Sequence, residues 1–127
     1  MEQYLMDSNA VIDYLSGKIP NEGMLFLNKI INDIPTISVI TKIEVLGFNT
    51  NENAEHLLLD FMNDSIILGL SDNIVEKTIE LRKDFKIKLP DAIIAATALE
   101  NKLILITRNL KDFDKIHELD AINPHDF

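Results

Sequence analysis

Apolar residues follow two rhythms along this chain: short unbroken runs alternate with longer segments where they recur every three or four positions. Residues 3–6 form a short apolar run closed by Asp7, the pattern of a strand. Residues 9–16 read as a helix capped by Ser8 or Asn9. Residues 22–32 read as a second helix, with Met24, Leu27, Ile30 and Ile31 at helical spacing. Residues 36–40 are rich in β-branched side chains and bounded by Pro35, which predicts a strand. A short helix over 42–48, a helix over Glu52–Asn63 and a strand over 65–70 follow. Residues 73–85 predict a long helix with a stripe at Ile74, Ile79 and Leu81. Residues 90–101 predict an Ala-rich helix opened by a proline. The run 103–106 suits a buried parallel strand, and Ala121–Ile122 a short edge strand.

Strands separated by helices imply βαβ units, hence a parallel sheet covered on both faces. The expected fold is α/β, a three-layer α/β/α sandwich around a central parallel sheet of four to five strands. A length of 127 residues suits one domain over 1–127, and 46% hydrophobic residues supply its core. The absence of cysteine excludes disulfides, thiolate metal sites and cysteine nucleophiles. No run approaches the roughly 20 apolar residues that span a bilayer, and no basic-then-apolar leader opens the chain. The expectation is a cytoplasmic protein with no membrane partner.

Charge complicates the picture. Twelve basic residues against 21 acidic ones give a net charge of −9, unlike most nucleic-acid binders. Yet nine of the 12 basic residues fall between Lys77 and Lys115, and carboxylates can hold cations that meet a phosphate.

Where the carboxylates fall gives that idea content. In an open parallel sheet, ligands bind beyond the carboxyl ends of the strands. Asp7 directly follows the first strand, Glu44 lies in the helix after the second, and Asp112 follows the strand ending near Ile106. Asp91 opens a helix antiparallel to the strands, so it too belongs at that edge. Four carboxylates from distant parts of the chain can therefore meet. Such groups repel one another unless a cation lies between them, and all-oxygen ligation favours Mg²⁺ or Mn²⁺ over Zn²⁺. His56, His117 and His125 fall outside the group, without metal-ligand spacing. Each carboxylate also has a local structural use. Asp7 suits a helix cap, Thr41 and Glu44 fit a capping box, Asp91 suits a helix dipole, and Asp112 suits a turn.

The segments around these residues resemble a known family. The opening Leu5-Met6-Asp7-Ser8-Asn9-Ala10-Val11-Ile12-Asp13-Tyr14-Leu15 resembles the start of PIN domains. Ser38-Val39-Ile40-Thr41-Lys42-Ile43-Glu44-Val45-Leu46 is similar to the family's second motif. Leu89-Pro90-Asp91-Ala92-Ile93-Ile94-Ala95-Ala96-Thr97-Ala98 is similar to its Asp and small-residue helix, and Leu105-Ile106-Thr107-Arg108-Asn109-Leu110-Lys111-Asp112-Phe113 to its last motif. The resemblance runs in family order over nearly the whole chain. It implies an Mg²⁺- or Mn²⁺-dependent ribonuclease with Asp7, Glu44, Asp91 and Asp112 as catalytic and metal-holding residues. It also implies Ser8 and Thr107 as hydroxyls hydrogen-bonded within the site. Asn109 is an alternative for the last position, and Asp112 is preferred because it carries charge. The small size resembles VapC-type toxins, which implies an RNA substrate, a homodimer and a cognate VapB-type antitoxin. Lys42, Arg108 and Lys111 lie beside the motifs and are candidate contacts to RNA phosphates.

Two other functions fit parts of the pattern. A catalytically inactive PIN-like binding module would suit the acidic charge but would not need the full carboxylate set. A receiver domain would need a phosphoacceptor Asp just after a central strand, whereas Asp60 and Asp64 precede one. The Glu52–Asn63 segment carries more apolar surface than one sheet face requires, and the consecutive Leu57, Leu58 and Leu59 predict a partner surface.

Overall fold

The computed structural model describes residues 2–127. Five strands, β1 (Tyr4–Met6), β2 (Thr36–Ser38), β3 (Ile66–Leu68), β4 (Ile104–Ile106) and β5 (Ala121–Ile122), form one sheet in the order β3-β2-β1-β4-β5. Every strand pairing is parallel. Six helices connect them: α1 (Ser8–Leu15), α2 (Asn21–Asn32), α3 (Val39–Leu46), α4 (Glu52–Asn63), α5 (Asp72–Asp84) and α6 (Leu89–Glu100). Short 3₁₀ turns occupy Leu110–Asp112 and Pro124–Asp126. No helix among the described residues is long and apolar enough to cross a membrane.

The layers follow from strand pleating and the handedness of crossovers. Successive strand residues point to opposite faces. Leu5 and Leu105 join one core with Ile74, Leu81 and the α6 residues Ile94 to Ala98, whereas Met6 and Ile106 join another with Val11, Leu27, Val45 and Phe61. The chain moves from β1 to β2 to β3 in one direction, then returns across the sheet to β4. Right-handed crossovers in opposite directions place their helices on opposite faces. Hence α1 to α4 cover one face and α5 with α6 the other, giving the expected three-layer α/β/α sandwich. Helix α6 is buried from Ala92 through Ala98. Its alanines let α5 and the sheet approach closely, and being apolar all round it has no solvent face to present.

Several local expectations change on inspection of the fold. Asp7, not Ser8 or Asn9, caps α1, accepting from the Ala10 N–H at 2.9 Å. The second strand stops at Ser38, whose hydroxyl accepts from the Ile40 N–H at 3.2 Å and starts α3 three residues earlier than residue 42. No capping box forms at Thr41, which lies inside α3, fully buried, with its hydroxyl unpartnered among the described residues. The buried stripe of α5 runs through Ile74, Thr78 and Leu81, while Ile79 is exposed, because spacings of four and three keep one face and a spacing of five leaves it.

Candidate active site

All five strands end at one edge of the sheet, and strand order reverses between β1 and β4. At such a reversal the connections leave in opposite directions and open a crevice. The register Met6↔Ile106 aligns the ends of these two strands, and the Asp7 N–H donates to the Ile106 carbonyl at 3.1 Å. Asp7 therefore stands beside Thr107, with Arg108 next in the chain.

Asp7 is only 6% exposed. Burial pushes its carboxyl up to about 6, since charge is poorly solvated there. The neighbouring Thr107 hydroxyl, the Ala10 N–H and the Arg108 guanidinium oppose the rise, and the Asp91 carboxylate adds to it. Asp91 lies in the first turn of α6, whose N-terminus has no side-chain cap. Its carboxyl is also raised, by burial first and then by Asp112 and Glu44, with Lys88 opposing. Thus Asp7 feels Asp91, and Asp91 feels Asp112 and Glu44, although the four come from separate segments.

Glu44 and Ser8 are joined directly: the Ser8 hydroxyl donates to Glu44 Oε1 at 2.6 Å, bringing α1 and α3 together. The Thr107 hydroxyl accepts from the Asn109 N–H at 3.0 Å, which folds the loop so that the turn Leu110–Asp112 follows at once. Asn109 takes part through its backbone, and Asp112 is exposed on that turn.

Of the candidate cations, Arg108 sits at the crevice, while Lys42 and Lys111 are exposed on α3 and on the turn after β4. Sequence reading missed Lys88, whose charge reaches Asp91. The signal was Lys88 standing three residues before Asp91, across the proline that starts α6. It also missed the Asp13–His125 pair that meets Arg108. His125 is therefore tied to the site's edge, although it is no ligand by spacing.

Would these residues suit a metal ion? The donor set is all oxygen, and it includes a buried carboxylate whose charge is costly beside a second one. A hard divalent cation relieves both costs. Among the described residues no three Asp, Glu or His side chains converge closely enough to hold an ion as they stand. The chemistry of the site fits, with Glu44 and Asp112 both exposed at its rim.

Comparison with known proteins agrees with this architecture. Residues 4–119 match the PIN domain family. No curated protein sequence matches significantly. Among solved structures, a toxin–antitoxin complex from Klebsiella pneumoniae contains a chain 34% identical, with a TM-score of 0.75, covering 96% of this chain and 98% of that one. FitAcB from Neisseria gonorrhoeae is 25% identical, with a TM-score of 0.74 and coverages of 96% and 98%. DNA-bound VapBC from Salmonella typhimurium is similar in fold, with a TM-score of 0.82 at 20% identity and coverages of 98% and 99%. A family match over most of the chain, together with a full-length relative of this identity, means that the chain belongs to the PIN-domain family.

Proposed function

We propose that this chain is an endoribonuclease dependent on Mg²⁺ or Mn²⁺, and a VapC-type toxin restrained by a cognate VapB-type antitoxin. The observation that carries the reading is the group of mutually repelling carboxylates at the β1–β4 reversal, headed by a buried Asp7. A protein that keeps such a group beside an arginine is built for a cation and for an anion that meets it.

Asp7 and Asp91 would hold the ion, with Glu44 and Asp112 completing the set. Asp7 is suited to this because its cap bond to Ala10 fixes its orientation before anything binds. Ser8 orients Glu44, and Thr107 steadies both Asp7 and the loop carrying Asp112. When bound, a divalent ion supplies charge neutralisation at the scissile phosphate and lowers the pKa of an attacking water. Arg108, Lys42 and Lys111 would meet flanking phosphates. The antitoxin reading is supported by the full-length likeness to a chain of a toxin–antitoxin complex. A homodimer is proposed on the family resemblance.

Metal-stripped protein should leave single-stranded RNA intact, cut it internally on addition of Mg²⁺ or Mn²⁺, and stop with chelator. RNA left whole with either ion present would overturn the nuclease reading. Substrate contact has its own test. Neutralising Lys42, Arg108 and Lys111 together should reduce the slope of log affinity against log salt by roughly 0.7 per lost contact. An unchanged slope places the RNA on another face.

A further inference from the structure

Asp7 and Asp13 are the only buried acidic residues among those described, and the proposed chemistry uses only the first. A buried carboxylate requires compensation. Asp13, on α1, receives it from two distant segments. Arg108 Nη1 donates to Oδ1 at 3.2 Å and to Oδ2 at 3.1 Å, and His125 Nε2 lies 3.1 Å from Oδ2. A carboxylate can only accept, so the imidazole donates from Nε2.

The C-terminal turn that carries His125 is itself well seated. The Pro124 carbonyl packs so closely on Gly23 of α2 that a Cβ there would lie 2.1 Å from its oxygen. Phe127 packs on Phe26 with ring centroids 4.8 Å apart. Asn123 accepts from the His125 N–H at 3.0 Å through Oδ1 and donates through Nδ2 to the Arg108 carbonyl at 3.4 Å. Arg108 is thus held at its side chain and at its backbone. Its side chain nevertheless remains 46% exposed, and only Nη1 is engaged, leaving Nε and Nη2 without a protein partner among the described residues.

We infer that Asp13 and His125 are positioning residues: they hold the Arg108 guanidinium at the end of β4, next to Asp7, with Nε and Nη2 left for a phosphate oxygen of the RNA. The inference rests on the nuclease reading above. A guanidinium tethered at one corner is already ordered when substrate arrives, and its planar fork suits a phosphate. Asp13 also neutralises one face of the arginine, which keeps Arg108 from collapsing onto the Asp7 carboxylate as a closed ion pair.

The test compares R108A, D13N, the double variant D13N/R108A, and the pair H125L and H125Q, with Mg²⁺ and a single-stranded RNA. R108A should raise KM roughly tenfold or more, the scale of losing a positioned contact. D13N should raise KM similarly with kcat less affected, and the double variant should be no worse than R108A. H125L should give a smaller rise, and H125Q, which keeps a donor near the Nε2 position, should restore it. Independently of activity, NMR relaxation of the Arg108 Nε–H should show a more mobile side chain in D13N and H125L. If D13N does not fold, the His125 pair carries the same comparison.

Losses that multiply in the double variant, an unmoved KM in D13N while R108A is impaired, or an Arg108 side chain equally rigid in D13N and H125L would each overturn the inference. A wild-type KM in R108A would overturn it too, by removing Arg108 from the substrate contacts. If the wild-type protein cuts no RNA, the nuclease reading fails; the NMR comparison still decides whether Asp13 and His125 order Arg108.

Discussion

Asp7→Asn should stop RNA cleavage and, at neutral pH, make the protein more stable. The loss of activity should reach roughly 10³-fold or more, because a divalent ion contributes several kcal/mol at the transition state and Asp7 is proposed to hold it. The gain in stability comes from the same burial. In the fold the Asp7 carboxyl sits at about 6, against an ordinary 3.8. Below the lower value the group is protonated in both states and folding is not penalised. As pH rises towards and through 6, the unfolded chain ionises first, and stability is lost. Over the whole interval the loss is on the order of 3 kcal/mol, complete above pH 6. Asparagine does not ionise and caps a helix as well as aspartate, so the bond to Ala10 survives. Urea unfolding at pH 4 and pH 7.5 should show wild type weakening between the two, and D7N weakening less, the remainder coming from Asp91. Mg²⁺ should raise the midpoint of wild type and leave D7N unmoved. Asp91→Asn should behave alike in direction, with a smaller stability gain since Asp91 is less buried. Cleavage by either variant at the wild-type rate would remove that residue from the site, and a D7N protein less stable than wild type at pH 7.5 would contradict the origin of the raised carboxyl.

Leu57→Glu should separate the protein from the antitoxin and the second copy proposed for it, without unfolding it. On α4, Leu58 turns into the core at 7% exposure, while Leu57 and Leu59 stand 48% and 46% exposed. Leu57 also lines a shallow cavity of about 100 Å³ with Ile12, Leu15, Phe48, Ala54 and Leu58, and Phe48 is itself more than half exposed. An exposed apolar patch of this kind is proposed as a partner surface, since a groove between helices can accept the apolar face of another helix. A glutamate at the centre of such a contact should cost on the order of 2–4 kcal/mol of binding, a loss of roughly 30- to 1,000-fold. Fold stability should change little because the site is solvent-facing. Co-purification with the antitoxin tests one partner, and sedimentation tests the second copy of the chain. A variant that stays dimeric and still binds its inhibitor would place both interfaces elsewhere.

Which parts of this protein are readable from residues alone has a physical pattern. The apolar run 103–106 and the small-residue stretch Ala92–Ala98 declare a buried strand and a buried helix because burial on all sides leaves no polar position to hide the signal. The start of α3 is not legible in the sequence because Ser38 and Thr41 are both good caps by type, and the end of β2 decides between them. In α5, Ile79 looked like core by hydrophobicity, yet Thr78 takes that face and bonds the Ile74 carbonyl at 2.7 Å instead. Three-residue strands carry too few positions to mark their own ends.

The candidate site divides in the same way. Sequence by itself determined the α/β class and the parallel sheet, and it led to the expectation of four carboxylates at one sheet edge, because crossover connections bring strand ends and helix starts to that edge wherever they lie in the chain. Only the tertiary structure decided that Asp7 is buried enough to be raised to about 6, that Ser8 meets Glu44, and that the charge of Lys88 reaches Asp91. It alone decided that Asp13, Arg108 and His125, separated by up to 112 positions, form one hydrogen-bonded group. Periodicity encodes which face of an element is buried, but not which side chains from different elements come within 3 Å, because that depends on strand order, register and the path of the last few residues.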